Sequence, residues 1–175
     1  MTADHVLGEP LPALPKPNFR LVPLRSSNQV PARVADIFAK AGVPAGLIGY
    51  DYQALPEAVV LAGSGELGLV AFGTSGLFGR ICIDPASSEV VFVPKEDVPV
   101  VSFVNKDLDS FIRCVEAVIA RFPFYADEEQ DEYSEEADEL RGVLAGIDGS
   151  ILEHAGFWDD FCWDVEMGEY GDWDD

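Results

Sequence analysis

A change of hydrophobic period at Val104-Asn105 decides the architecture of this chain. Before it, apolar runs are short and extended: LGLVAF (67–72), RICI (80–83), EVVFV (89–93) and a fourth run over 98–104. The segments between them, GTSGLFG (73–79) and DPASS (84–88), have turn compositions, so the runs read as successive strands. After the join, Leu108, Phe111, Ile112, Val115, Val118 and Ile119 recur at spacings of three and four, which places them on one face of a helix. Asn105 is predicted to cap that helix by accepting a hydrogen bond from an amide of its first turn. Burying six such side chains stabilises by roughly 10 kcal/mol gross, an upper bound because unfolded chains are already partly compact.

The strand runs are nearly continuous in apolar residues, where a sheet wetted on one face would alternate. Both faces of the sheet are therefore expected to be covered, one by the helix after Asn105 and the other by terminal segments. Pro99 suits the start of a strand or an edge, since it cannot donate to a ladder. Upstream, Pro31 opens a short helix with Val34, Ile37, Phe38 and Ala41 inward, and Gly42 ends it. Residues 47–50 and 58–62 read as two further strands separated by Leu55-Pro56. The helix after Asn105 stops near Phe122-Pro123, because the residue before a proline avoids helical geometry.

Charge divides the chain unevenly. Residues 1–121 hold 13 acidic and 10 basic side chains, while residues 122–175 hold 19 acidic ones and a single base, Arg141, for a net charge of −21. Nine of these carboxylates fall in ADEEQDEYSEEADEL (126–140). Tyr133, Ala137, Leu140, Leu144 and Ile147 continue at helical spacing, so the acids from Glu135 onward form the wet face of a packed helix and 126–132 is an acidic loop. Beyond them, acids alternate with aromatics. Trp158, Phe161, Cys162 and Val165 share a helical face that docks on the body, which leaves Trp163 and Trp173 for solvent. Such a surface disfavours nucleic acid, whose binders gain affinity by neutralising phosphates, and favours a basic protein. Cys82, Cys114 and Cys162 are widely spaced and read as buried thiols of a reducing compartment. No apolar run is long enough to span a bilayer, and the first ten residues carry no Lys or Arg; the chain is expected in the cytoplasm, away from membranes.

Motifs of catalysis are weak. Gly63-Ser64-Gly65-Glu66-Leu67-Gly68 matches GxGxxG, but a dinucleotide site needs a helix directly after it, and a strand pattern follows. A β-hairpin turn is the preferred reading. Ser75 in GTSGL lacks the helix of a nucleophile elbow, and the only histidines, His5 and His154, lie in a tail and beside the acidic end. The acidic run lacks the glycine and the alternation of a calcium loop. Neither a catalytic residue, nor a cofactor site, nor a metal site is assigned.

Several segments taken in order carry a resemblance: AKAGVP (39–44), FGTSGLFGRICIDPASSEVVFV (72–93), VNKDLDSFIRCVEAV (104–118), ID (147–148), FW (157–158) and VEMG (165–168). Together they resemble the SUKH superfamily of bacterial immunity proteins, nearest its fourth subgroup, over most of residues 30–168. The resemblance implies a single α+β domain in which a bent, mainly antiparallel sheet packs with helices. Here that domain is expected over 26–175, after a proline-rich extended segment at 1–25. It also implies a non-enzymatic antidote that binds a cognate protein toxin of a polymorphic toxin system, often a nuclease or nucleic-acid deaminase. The family has no shared catalytic residues. Joined to the charge asymmetry, it makes Glu128, Glu129, Asp131, Glu132, Trp163 and Trp173 the candidate partner-binding residues. Two other classes stay open: a regulatory interaction module with a different partner, and a small nucleotide-binding enzyme.

Overall fold

The computed structural model of the chain describes residues 17–62, 68–95, 100–124 and 132–170, apart from the side chain of Glu132. The described part of the proline-rich segment runs extended, and its strand β1 (Leu21–Val22) pairs antiparallel with β2 (Val43–Pro44). Between them lies α1 (Ala32–Ala41), with Pro31 at its N-cap and Gly42 at its end. Gly42 has φ +67, and an added Cβ would lie 2.9 Å from the Val22 carbonyl oxygen, so both backbone conformation and space call for glycine. Val34 and Phe38 are buried, as the helical spacing predicts.

Five further strands pair in chain order into one antiparallel meander: β3 (Gln53–Val60), β4 (Val70–Ser75), β5 (Gly79–Ile83), β6 (Val90–Val93) and β7 (Ser102–Asn105). The tight turn after β4 and the short one after β5 favour such pairing of neighbours. Register shifts interrupt the β3–β4, β4–β5 and β6–β7 ladders, and irregularities of this kind bend a sheet. Two expectations need correction upstream. Residues 47–50 are not a strand: Asp51 N–H bonds the Ile48 carbonyl at 3.2 Å and closes a turn, and Leu47 and Ile48 are apolar because the turn buries them. Leu55-Pro56 does not separate two strands but lies within β3, in the stretch where the register shifts. β3 is an edge strand, where a missing amide costs least. The expected turn at 73–79 is also shorter, since Gly73 to Ser75 belong to β4 and Gly79 opens β5.

The helix after the sheet, α2 (Leu108–Arg121), buries Leu108, Phe111, Cys114, Val115, Val118 and Ile119, while Ile112 is half-buried. Its cap is Asp107 rather than Asn105: the Asp107 carboxylate accepts the Ser110 N–H at 2.8 Å. Asn105 ends β7 fully buried, two residues too early to reach the first helical turn. The next helix, α3, covers Glu132–Ile147, so Glu132 opens a helix instead of closing a loop. Ala137, Leu140 and Leu144 line its inner face. A short 3-10 turn (Gly149–Glu153) leads to α4 (Phe157–Glu166), whose Trp158, Phe161, Cys162 and Val165 are all buried.

Both faces of the sheet carry apolar clusters, which is why its strands do not alternate. The larger joins Val70, Phe72, Ile81, Ile83, Val90 and Val104 to the helices, and α4 belongs to this side. The smaller consists of Leu61, Leu69, Ala71, Cys82, Val91 and Val93. The terminal segments expected over that second face do not cover it where they are described, since Phe19, Val22, Leu24 and α4 pack on the larger cluster; residues 1–16 and 171–175 lie outside the described residues. All three cysteines are free and buried.

Candidate functional site

Asn105 and Asp148, both fully buried, form a three-residue junction with Trp158. Asn105 Nδ2 donates to Asp148 Oδ2 at 3.1 Å, and Asn105 Oδ1 accepts the Trp158 indole N–H at 2.9 Å. Asp148 also accepts the Lys106 and Ser150 backbone amides at 2.8 and 3.1 Å. Burial raises the pKa of Asp148, but the donors on Lys106, Asn105 and Ser150 outweigh it and hold the carboxyl below its ordinary value. The VN, ID and FW segments of the sequence therefore meet at one point. With every polar atom turned inward, the junction fixes β7, the end of α3 and the start of α4 relative to one another; it is scaffold, not a binding site.

A second polar group lies between α4, the end of β4 and the turn after β2. Asp51, Ser75, Asp160 and Asp164 line a cavity of about 110 Å³ floored by Phe92, Phe157 and Phe161. The Tyr170 hydroxyl donates to Asp51 at 2.6 Å, and its ring stacks on Phe161 at 4.9 Å. Burial pushes Asp51 up to about 6, the Tyr170 hydrogen bond opposes this, and Asp164 and Glu169 add to it. Asp164 is raised by burial, then by Glu169 and Asp160. Crowded carboxylates on an apolar floor attract a cation.

The raised Asp51 value has a measurable consequence. Between the ordinary carboxylate pKa and about 6 the folded chain binds this proton more tightly than the unfolded chain, so the group's contribution to stability falls as pH rises through that window. Asp51→Asn retains an acceptor for Tyr170 and does not titrate. Its stability relative to the parent is expected to grow by about 1–2 kcal/mol from pH 4.5 to 7 and then stay level, as read from urea denaturation at each pH. A difference independent of pH would show that Asp51 titrates as an exposed acid.

A cleft of about 190 Å³ brings Cys162, His154 and Asp159 to one lining. Burial pushes the Cys162 thiol up to about 12, lowered somewhat by Arg141 and raised by Asp159, so it is protonated near neutrality and a poor nucleophile. His154 is exposed and stacks on Phe103, with ring centroids 4.3 Å apart. Ser75 ends β4 and is followed by a hairpin, so no helix supports it as a nucleophile. Residues 63–67 of the glycine-rich stretch lie outside the described residues, and the element after it is the strand β4. Among the described residues no group of three His, Cys, Asp or Glu side chains is arranged to hold a metal ion. Among them, too, no helix is long and apolar enough to cross a membrane.

Of the six residues the sequence singles out, Trp163 lies on the outer face of α4, 58% exposed and adjoining Asp164. Glu132 is the first residue of α3. Glu128, Glu129, Asp131 and Trp173 lie outside the described residues. The acids of α3 behave as expected of a solvated face, though three are drawn into ion pairs. Arg121 bonds Glu139 at 2.7 Å with Glu136 at 3.9 Å, and Arg141 bridges Asp138 and Glu166 at 2.9 and 3.1 Å. Arg141, the lone base after residue 121, thereby ties α3 to α4. Sequence reasoning missed the cavity altogether: Asp51 and Tyr170 are 119 positions apart, and each looks locally like a surface residue.

An antiparallel meander backed by helices, with a hydrogen-bonded scaffold junction, defines an α+β domain. The chain belongs to the SUKH-4 immunity protein family, whose model matches residues 25–164. No curated protein and no solved structure matches it. Family membership supports a toxin-immunity role and, with it, binding of a cognate toxin.

Proposed function

We propose that this protein is a cytoplasmic, non-enzymatic antidote that neutralises a basic, nucleic-acid-targeting toxin of a polymorphic toxin system through its acidic surface. The observation that carries this reading is the coincidence of SUKH-4 membership with a charge of −18 placed after residue 121. A toxin that acts on nucleic acid presents a basic groove to its substrate, and a dense array of carboxylates competes for that groove. Long-range attraction speeds encounter, whereas a few desolvated anchors set the lifetime of the complex. Glu128, Glu129, Asp131 and Glu132 serve the first role in this scheme, and Trp163 and Trp173 the second.

The deciding experiment is co-expression with the neighbouring gene. The neighbour is expected to kill cells alone, to be tolerated beside this chain, and to co-purify with it. A harmless neighbour that still binds would favour a regulatory module, and binding of ATP or NAD in titration calorimetry would favour an enzyme. In the complex, changing the four acids to Gln or Asn is expected to slow association about tenfold at low salt and to leave dissociation nearly unchanged. Trp163→Ala is expected to speed dissociation by about 30-fold. Affinity that does not change between low and high salt would sink the electrostatic account.

A further inference from the structure

The two most exposed large apolar side chains among the described residues are Leu77, at 87%, and Tyr50, at 77%; Phe78 follows Leu77 at 66%. They belong to two turns that touch. The β4–β5 hairpin turns through Gly76, Leu77 and Phe78, and the Gly76 N–H bonds the Tyr50 carbonyl at 2.8 Å. Gly76 has φ +60, a conformation for which a turn of this kind calls on glycine, and a Cβ added there would meet nothing within 4 Å. Nothing in the fold explains this composition, because a solvated three-residue turn calls for polar residues. Contiguous exposed apolar patches above a few hundred Å² mark interaction sites, and three side chains of this size reach roughly that range.

We infer that the hairpin tip Leu77-Phe78, with Tyr50 beside it, is the apolar anchor of the toxin-binding surface, and that the acidic cavity next to it receives a lysine or arginine side chain of the toxin. The inference rests on the antidote reading and gives it a location other than the acidic loop. The two parts are continuous: Ser75, two residues before Leu77, and Asp51, directly after Tyr50, line the same cavity as Asp160 and Asp164. The Arg80 guanidinium folds back onto the Phe78 and Gly79 carbonyls at 3.5 and 3.0 Å, at the base of the hairpin. Trp163 extends the surface along α4. Aromatic anchors beside partly desolvated charges are the composition of an interface centre.

Charge selects the occupant. A second copy would set Asp51, Asp160 and Asp164 against their own counterparts on a chain of net charge −21, and like charges placed together across an interface are costly. An anionic membrane or a nucleic acid meets the same repulsion. A basic protein that brings an apolar pocket for the hairpin gains from both parts.

The test uses the full chain co-purified with the product of the neighbouring gene, with folding of each variant confirmed by circular dichroism. Leu77→Ser combined with Phe78→Ser is expected to weaken the complex by about 100-fold and to abolish protection of cells. Asp160→Asn combined with Asp164→Asn is expected to weaken it about tenfold and to flatten its salt dependence. Leu152→Ser, at an apolar residue 66% exposed on the 3-10 turn, is expected to bind as the parent does. Hairpin variants that bind within threefold of the parent overturn this inference while leaving the antidote reading intact. A parent chain that neither binds nor protects overturns both. A parent that sediments as a dimer, and as a monomer once Leu77 and Phe78 are changed, assigns the patch to a second copy and overturns the inference.

Discussion

Asp148→Ala is expected to lower the stability of the protein by about 3–5 kcal/mol, the range for breaking a buried, hydrogen-bonded charge. Asp148 is fully buried and accepts from three donors, on Asn105, Lys106 and Ser150. Removing the carboxylate strands those donors, and each stranded group costs about 1–3 kcal/mol where water cannot reach it. Asp148→Asn is expected to cost less, because its carbonyl in the place of Oδ2 can still accept from both the Lys106 amide and Asn105, and only the Ser150 amide then faces its NH2. For a chain of this size the alanine variant should melt about 10 °C or more below the parent. The pH dependence has a definite sign. The folded pKa is lowered, so the stabilisation is complete above the ordinary carboxylate pKa and is lost as pH falls below it toward the folded value. The gap between parent and Asp148→Ala should therefore narrow in acid. A gap that persists unchanged would mean the carboxyl is not held ionised by its donors. A double-mutant cycle with Trp158→Phe, which removes the indole N–H bonded to Asn105, is expected to be non-additive, since both residues act through one amide.

That junction also marks where sequence reasoning reaches its limit. The α2 stripe is legible because a period of 3.6 leaves Leu108, Phe111, Val115 and Val118 on one face whatever packs against them. Strands β5 and β6 are legible because turn residues bracket short apolar runs. Asn105 is not, because its partners lie 43 and 53 positions away, and a local reading offers only the helix cap that Asp107 occupies. Leu47 and Ile48 mislead in the opposite way: a buried turn needs apolar residues as much as a strand does. Pro56 reads as a break because a proline costs a central strand a ladder bond, whereas β3 is an edge. At the candidate surface, the exposure of Trp163 follows from its position off the Trp158, Phe161, Cys162 and Val165 face. The cavity carboxylates could not be found that way, since β4, β6, α4 and the turn after β2 come together only in the folded chain.

Phe111→Ala is expected to cost about 3–5 kcal/mol, through lost burial and through the cavity left behind. Phe111 has no exposure and sits among Tyr52, Phe72 and Trp158, with ring centroids 5.2, 5.6 and 6.1 Å away. The site cannot collapse easily. The Tyr52 hydroxyl is tied to the Pro44 carbonyl at 2.8 Å, and its ring lies so close to Gly73 that a Cβ there would collide with it. Trp158 is held by Asn105. Phe111→Leu keeps most of the volume and should cost less than about 1.5 kcal/mol. In urea, both variants should shift the midpoint with an unchanged slope; a changed slope would show that the ensemble, rather than one contact, has been altered. The Ala variant also separates core from surface. The inferred anchor at Leu77 and Phe78 makes no use of Phe111, so Phe111→Ala should weaken toxin binding only in proportion to the folded fraction it loses. Below the midpoint of unfolding that proportion is small. Leu77→Ser with Phe78→Ser should do the reverse, weakening binding about 100-fold at nearly unchanged stability, because both side chains are largely exposed already.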